Sequence, residues 1–89
     1  KNKIEVETKN FSEVQEALEQ KVDIIMLDNM SIDDIHESVK LIDGKAKIEI
    51  SGGINLKNLN EISKTGADFV SIGALTHSAP AVDISMNIL

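Results

Sequence analysis

The sequence lacks cysteine and arginine, and it has no long apolar segment. Without cysteine, neither a disulfide framework nor a thiolate metal site is possible. The longest purely apolar run, residues 24–27, has the length of a strand and is far shorter than the ~20 residues that a membrane-spanning helix needs. Nothing at the N-terminus resembles a signal peptide, so we expect a cytoplasmic protein that does not enter a membrane.

Positive charge is also scarce. All nine basic residues are lysine, and fifteen acidic residues give a net charge of -6. Nucleic-acid surfaces need clustered Lys and Arg to meet the phosphate backbone, so we expect no nucleic-acid partner. The missing arginine also limits how well these residues alone can bind multiply charged anions.

The chain is short for an independent protein. Its 89 residues leave room for one compact domain, and a domain of this size is only marginally stable without support from elsewhere. There is no initiator methionine, and a predicted strand begins almost at once. We therefore expect residues 1–89 to be one part of a larger protein.

Strand and helix patterns alternate along the chain. Short aliphatic segments predict strands, and apolar residues at helical spacing predict helices between them. Capping side chains precede the helices, and glycine follows the second and third of them. The predicted strands cover residues 3–8, 22–28, 47–51 and 68–73, and the helical stripes begin with Phe11, Ile32 and Leu56.

The ends of the predicted strands recur at a regular interval. Glu7, Asp28, Ser51 and Gly73 are separated by 21, 23 and 22 positions. Regular βα units of this length build a parallel sheet with right-handed crossovers. Four strands cannot close a barrel, so the sequence predicts an α/β fold with about half of a TIM-like open α/β barrel. Another segment or another copy must supply the remainder.

The two faces of the predicted sheet differ in polarity. One face is aliphatic and should pack against the helices, whereas the other is mixed, as in a barrel interior that becomes polar towards its catalytic mouth. Glu5 and Glu49 lie on the mixed face, where we expect each to meet a Lys or Arg from the rest of the barrel, unless the open barrel leaves them exposed. The aliphatic set comprises Ile4, Val6, Ile25, Leu27, Ile48, Ile50, Val70 and Ile72.

Two glycine-containing motifs follow predicted strands. Ser51, Gly52 and Gly53 end the third strand just before a helix, and the motif at residues 71–78 ends the fourth. Glycine lets a backbone approach a phosphate closely, and a helix N-terminus adds a favourable field. Ligands of parallel α/β folds bind at this end of the strands, so the motifs predict one shared phosphate site. Alternatively, the glycines only form tight turns.

Two acidic residues end the first two predicted strands, so their carboxylates should lie close together at the mouth. Glu7 and Asp28 could there bind Mg²⁺ with ligand hydroxyls, or stabilise a cationic sugar-derived transition state. Alternatively, both are solvated acids or helix caps, with Asp28 accepting a hydrogen bond from the amide of Asn29 or Met30. His77 could contact an anionic ligand or begin the terminal helix.

Four linked motifs occur in order along nearly the whole chain. They are Glu-Val-Glu at 5–7, Ile-Met-Leu-Asp-Asn-Met at 25–30, Glu-Ile-Ser-Gly-Gly-Ile at 49–54, and Ser-Ile-Gly-Ala-Leu-Thr-His-Ser at 71–78, followed by Asp-Ile-Ser at 83–85. Together they resemble the C-terminal region of the quinolinate phosphoribosyltransferases, also called nicotinate-nucleotide pyrophosphorylases (carboxylating).

This resemblance implies a pentosyltransferase of NAD biosynthesis. Such an enzyme condenses quinolinate with phosphoribosyl pyrophosphate and releases pyrophosphate and CO₂ to give nicotinate mononucleotide. The resemblance also implies Mg²⁺, an N-terminal domain that completes the open barrel, and active sites at the interface of a homodimer or higher homo-oligomer. Because the chain lacks arginine, we expect negligible catalysis by residues 1–89 alone.

The resemblance also assigns roles to individual positions. Glu7 and Asp28 match the acidic pair that lies near the ribose and its metal in the family, and His77 matches a site histidine. The phosphate-binding loops of the family match Ser51, Gly52, Gly53, Ile72, Gly73 and Ala74.

Two other interpretations are compatible with the residues. Glycine turns alone would serve another barrel enzyme that acts on a sugar phosphate. An incomplete barrel also exposes strand edges and apolar interior residues such as Ile24, Met26 and Phe69, which favours a non-catalytic, self-associating module.

Overall fold

The computed structural model describes residues 3–71 and 81–83 of the chain. Its elements are β1 (Glu5–Thr8), α1 (Phe11–Glu19), β2 (Ile24–Asp28), α2 (Ile32–Ile42), β3 (Lys47–Ser51), α3 (Leu56–Ser63), β4 (Phe69–Ser71) and β5 (Ala81–Asp83). The strands form one sheet in the order β1-β2-β3-β4-β5, and the first four are parallel. The predicted parallel βα repeat is therefore confirmed. Among the residues described, no helix is long and apolar enough to cross a membrane.

The fifth strand departs from the predicted repeat. β5 is antiparallel to β4, with Val82 opposite Val70, and Ser71 is the last described residue of the strand predicted over 68–73. A parallel crossover needs about a dozen residues or more, whereas an antiparallel strand can return through a shorter connection. Only residues 72–80 separate β4 from β5, so strict parallel alternation ends at β4.

Side-chain caps define the starts of the helices. The side chain of Asn10 accepts a hydrogen bond from the amide of Glu13 at the start of α1, and Ser31 accepts one from Asp34 at the start of α2. Asn55 caps α3 in the same manner and forms a reciprocal capping box. These bonds satisfy amides that have no partner inside a helix, and they confirm the three predicted helix starts.

Left-handed backbone residues follow the helices. Lys21 after α1 has φ 55°, a conformation that costs a residue with a side chain about 1 kcal/mol relative to glycine. After α2 the left-handed turn begins at Asp43, one residue before the Gly44 at which the sequence predicts it. Short polar side chains adopt this region more readily than most others, so Asp43 is tolerated there.

The core lies between the sheet and the helices that cover one of its faces. Ile25, Leu27, Ile50 and Val70 are each at most 2% exposed, which confirms the predicted helix-facing set at these positions. The buried helix residues that pack against them are Val14, Ala17, Ile35, Ile42 and Ile62.

Two observations refine the predicted division of the sheet. Ile4 is 58% exposed, so its assignment to the helix-facing core is wrong. It precedes β1, which is an edge strand of the described sheet, and therefore has no neighbouring strand on its outer side. On the mixed face, Ile24, Met26 and Phe69 are only half-buried, because the described helices pack on the other face.

The mixed face carries a pair of acidic side chains below the strand ends. Glu49 is 6% exposed and accepts a hydrogen bond from Ser71 Oγ at 2.7 Å. Glu5 reaches the same carboxyl group from two strands away. The hydrogen bond with Glu49, partial burial and the negative charge of Glu49 raise the pKa of Glu5 from 4.5 to about 7. Within the described residues the two acids thus partner each other, and a Lys or Arg partner stays a prediction.

Replacing Ile25 with alanine should lower the free energy of unfolding by about 2–5 kcal/mol, because the change removes buried methyl groups and leaves a cavity. Ile4→Ala is the matched control, since it removes the same atoms from a mostly exposed side chain and should cost only about 0.5 kcal/mol. Urea unfolding of the intact protein, followed by circular dichroism, measures both losses. Equal losses would contradict this assignment of the core.

The pairing of Glu5 with Glu49 should make stability depend on pH. A carboxyl group with a raised folded pKa stabilises the fold while it is protonated, so its contribution is complete below the ordinary pKa of 4.5 and is lost as the pH rises to about 7. The thermal unfolding midpoint should therefore fall as the pH rises to about 7. In Glu5→Gln, whose side chain is neutral at every pH, this fall should be smaller. Glu61→Gln on the exposed side of α3 is the control and should keep the original slope. An unchanged slope in Glu5→Gln would show that the two carboxyl groups do not share a proton.

Candidate active site

The carboxyl ends of β1 and β2 bring two acidic side chains to one edge of the sheet. In the parallel register, Glu7 pairs with Met26, and Asp28 lies two residues further along β2 on the same face. The two carboxyl groups are within hydrogen-bonding distance of each other. The acidic pair expected from the sequence is therefore assembled, with the Asp28 side chain 20% exposed and that of Glu7 53% exposed.

A lysine that the sequence analysis missed joins this pair. The Nζ atom of Lys9 lies 2.8 Å from Asp28 Oδ2 and 3.3 Å from Glu7 Oε2. Sequence analysis gave no lysine a role at the site. The position of Lys9 in the sequence could have identified it, because Lys9 directly follows β1, and the loops after the strands of a parallel α/β fold carry ligand-binding groups.

Hydrogen bonds fix the charge state of these groups. The Lys9 ammonium group, followed by the hydrogen bond with Glu7, holds the pKa of Asp28 below its usual range. Asp28 and then Glu7 raise the pKa of Lys9 in turn. Asp28 and Lys9 are consequently both charged near neutral pH. The amide of Asn29 donates to the Ser51 carbonyl at 2.8 Å, so Asp28 serves the acidic pair and does not cap that amide.

The glycine motif after β3 lies directly beside the acidic pair. Gly52 and Gly53 have φ of 82° and 65°, in the left-handed region that favours glycine. A Cβ atom on Gly52 would lie 3.1 Å from both Asp28 Oδ1 and the Asn29 nitrogen. The left-handed turn and the close approach of Gly52 to Asp28 each require glycine here. The same backbone is therefore compatible with both interpretations from the sequence, a tight turn and a phosphate-binding loop.

The loop is held in place by the cap of α3. Asn55 accepts hydrogen bonds from the amides of Lys57 and Asn58, and the side chain of Asn58 donates to the Gly53 carbonyl at 2.7 Å. The amides of Lys57 and Asn58 in the first turn of α3 are therefore already used by the cap. Within residues 3–71, no acceptor takes a hydrogen bond from the amide of Gly52 or Gly53. These two amides are the donors that the loop can offer to an anion.

Only some of the remaining predicted site residues lie in the described part of the chain. Ser51 lies level with both Asp28 and Ser71 in the sheet, so the end of β4 at Ser71 lies beside the start of the glycine loop after β3. The other predicted contacts, Ile72, Gly73, Ala74 and His77, lie outside the described residues.

Two cavities in the described part of the chain lie near opposite ends of the strands. A cavity of about 440 Å³ is lined by Lys21, Lys45 and Lys47 at the opposite end of the strands. Another of about 160 Å³ lies under the glycine loop among isoleucines of β3, α2 and α3. Neither of these two cavities is lined by Glu7 or Asp28. The candidate site is therefore an open surface at the strand ends, where parallel α/β folds place their chemistry.

Known proteins share this sequence and this fold. A family model described as quinolinate phosphoribosyl transferase, C-terminal domain, matches residues 1–87. The chain is 48% identical over 94 residues to a probable nicotinate-nucleotide pyrophosphorylase (carboxylating) from Methanocaldococcus jannaschii, covering 98% of this chain and 33% of that protein. It is 39% identical over 100 residues to quinolinate phosphoribosyltransferase (decarboxylating) 1b from Nicotiana tabacum, covering 96% of this chain and 29% of that protein.

Solved structures give the same result. The crystal structure of nicotinate-nucleotide pyrophosphorylase from Ehrlichia chaffeensis superposes with a TM-score of 0.81 at 43% identity, over 92% of this chain and 30% of that one. The corresponding protein from Francisella tularensis gives a TM-score of 0.76 at 44% identity, over 90% and 29%. The chain thus spans about a third of the length of its relatives. By sequence and by fold, it belongs to the quinolinate phosphoribosyl transferase family, within the C-terminal domain.

Proposed function

We propose that the intact protein containing this chain is a quinolinate phosphoribosyltransferase of NAD biosynthesis. In this reaction the pyridine nitrogen of quinolinate forms a bond to C1 of the ribosyl group as the bond to pyrophosphate breaks and pyrophosphate leaves with the electron pair. Loss of one quinolinate carboxylate as CO₂, with a proton taking its place, then gives nicotinate mononucleotide. The observation that carries the proposal is the packing of Gly52 against Asp28 at the mouth of the sheet, which joins a phosphate loop to an acidic pair.

The acidic pair would act on the ribosyl group. Departure of pyrophosphate leaves oxocarbenium-like positive charge on the sugar, and fixed carboxylates placed beside it stabilise that charge. Glu7 and Asp28 are held together before any substrate binds, so little reorganisation is needed in the transition state. The depressed pKa of Asp28 keeps it ionised and able to perform this role at neutral pH.

The glycine loop would hold a phosphate group of the ribosyl donor. Within residues 3–71 no acceptor takes a hydrogen bond from the amides of Gly52 and Gly53, and this backbone has no side chain that would prevent close approach. Ser51 adds a hydroxyl at the end of β3. The segment of Ile72, Gly73 and Ala74, with His77, would complete the phosphate site from the end of β4, and this part stays a prediction.

The acidic pair also fits the Mg²⁺ that the family resemblance implies. Carboxylate oxygens are preferred ligands of Mg²⁺, and the Lys9 ammonium group already shows that a cation can contact both acids at once. In the described segments no group of three or more acidic or histidine side chains could form a fuller cage. Glu7 and Asp28 would therefore be its protein ligands. Bound Mg²⁺ would neutralise charge on the pyrophosphate.

The charge of the substrates indicates what the rest of the protein must supply to this chain. Quinolinate and phosphoribosyl pyrophosphate together carry several negative charges, and this chain has no arginine and a net charge of -6. We therefore infer that basic substrate-binding residues come from the rest of the protein or from a second subunit of a homo-oligomer, and that residues 1–89 alone have negligible activity. A cytoplasmic location stays a prediction.

Replacing Asp28 with asparagine, or Glu7 with glutamine, should reduce kcat of the intact protein at least about 100-fold, because each removes a fixed negative charge beside the developing cation. Formation of nicotinate mononucleotide from quinolinate and phosphoribosyl pyrophosphate measures the effect. Asp33→Asn on the exposed start of α2 makes the same chemical change and should retain full activity. Retention of normal kcat by either site variant would reject the proposed role of the pair.

Gly52→Ala should raise the KM for phosphoribosyl pyrophosphate at least about tenfold, because its Cβ would push on Asp28 and on the Asn29 backbone and displace the loop. Gly44→Ala is the matched control. Gly44 has a similar φ of 78°, so it pays the same backbone strain, but nothing lies within 4 Å of its added Cβ. Both variants should lose about 1 kcal/mol of stability from the left-handed backbone, while only Gly52→Ala should change KM. Equal KM values for the two variants would contradict the phosphate role of the loop.

A further inference from the structure

Lys9 places its ammonium group between the two acids of the candidate site. The contacts are 2.8 Å to Asp28 Oδ2 and 3.3 Å to Glu7 Oε2, although 65% of the Lys9 side chain is exposed. In the function proposed above, this lysine contributes only by lowering the pKa of Asp28. An exposed lysine usually has several alternative positions, so contact with both acids calls for a structural reason.

The backbone supplies that reason. The amide of Lys9 donates to Glu13 Oε1 at 2.6 Å, and the next residue, Asn10, caps α1. The main chain at Lys9 is therefore fixed by the start of α1, while its side chain points to Asp28 on the neighbouring strand. Because the attachment point is rigid and the stem is flexible, the ammonium group can leave the acids and return to the same place.

We propose that Lys9 is a built-in counter-ion of the acidic pair, which occupies the position of an added cation and so sets how strongly Glu7 and Asp28 bind Mg²⁺. The inference deepens the proposed function, and it rests on that function in assigning Mg²⁺ to the pair. Lys9 is a positioning residue in this scheme, since it acts through the two acids.

The charge and the exposure of Lys9 together determine how much it weakens Mg²⁺ binding by the acidic pair. Two adjacent carboxylates attract any cation, and a divalent ion must displace the ammonium group or share the oxygens with it. Ion pairs this exposed are weak, so displacement is easy and the competition is modest. Without the lysine charge, affinity for Mg²⁺ should rise about two- to tenfold.

Isothermal titration of the intact protein with Mg²⁺, in the absence of substrates, tests this competition. Lys9→Gln and Lys9→Met remove the charge, and both should bind Mg²⁺ more tightly than the unaltered protein. Lys9→Arg keeps a positive charge at the same place and should show no gain. Lys40→Gln is the control for net charge, because Lys40 lies on α2 and its recorded ion pair is a 3.9 Å contact with Glu37. It should leave the affinity unchanged.

Several outcomes would overturn the proposal. They are the absence of tighter binding in the two neutral variants, an equal gain in Lys40→Gln or Lys9→Arg, and no measurable Mg²⁺ binding in any variant. Measuring nicotinate mononucleotide formation by the unaltered protein tests the proposed function separately from the role of Lys9. An active protein whose neutral variants bind Mg²⁺ no more tightly would reject the role of Lys9 alone, whereas an inactive protein with the expected affinity changes would reject the enzymatic assignment alone.

Discussion

Parallel pairing between neighbouring strands determines where every group of the candidate site lies. Asp28 is level with Ser51, and Ser51 is level with Ser71, so three consecutive strand ends meet at one edge of the sheet. A slip of one residue in any pair would turn the acidic and hydroxyl side chains towards the helices and the aliphatic ones towards the mouth. The aliphatic face prevents such a slip, because Ile25, Leu27 and Ile50 lose their burial if the register changes.

The close approach of Gly52 to Asp28 makes two motifs into one site. These residues belong to different βα units, yet the position of a Gly52 Cβ would be only 3.1 Å from the Asp28 carboxylate. The φ of 82° at Gly52 and the cap of α3 together hold the loop in this position. A phosphate bound by the loop amides would therefore lie beside the acidic pair, as a phosphorylated ribose requires.

Acidic side chains on the mixed face have two different environments. At the mouth, the Lys9 ammonium group contacts Glu7 and Asp28 and lowers the pKa of Asp28. Deeper on the same face, Glu5 has Glu49 as its neighbour, and its pKa rises to about 7. The first arrangement keeps Asp28 ionised, as the role proposed for the acidic pair requires. The second arrangement lowers the negative charge of two adjacent carboxyl groups, because the hydrogen bond between them favours the protonated form of Glu5.

The sequence by itself determined the parallel repeat, the helix starts at Asn10, Ser31 and Asn55, and the assignment of Glu7, Asp28, Gly52 and Gly53 to one edge of the sheet. These features follow from local periodicity, from capping chemistry and from equal spacing, which short segments carry without their neighbours. Tertiary structure decided the bridging position of Lys9, the contact of Gly52 with Asp28, the exposure of Ile4 and the antiparallel direction of β5. Each of these depends on which strands are neighbours and on how far a side chain reaches across them, and neither is specified by residues adjacent in the chain.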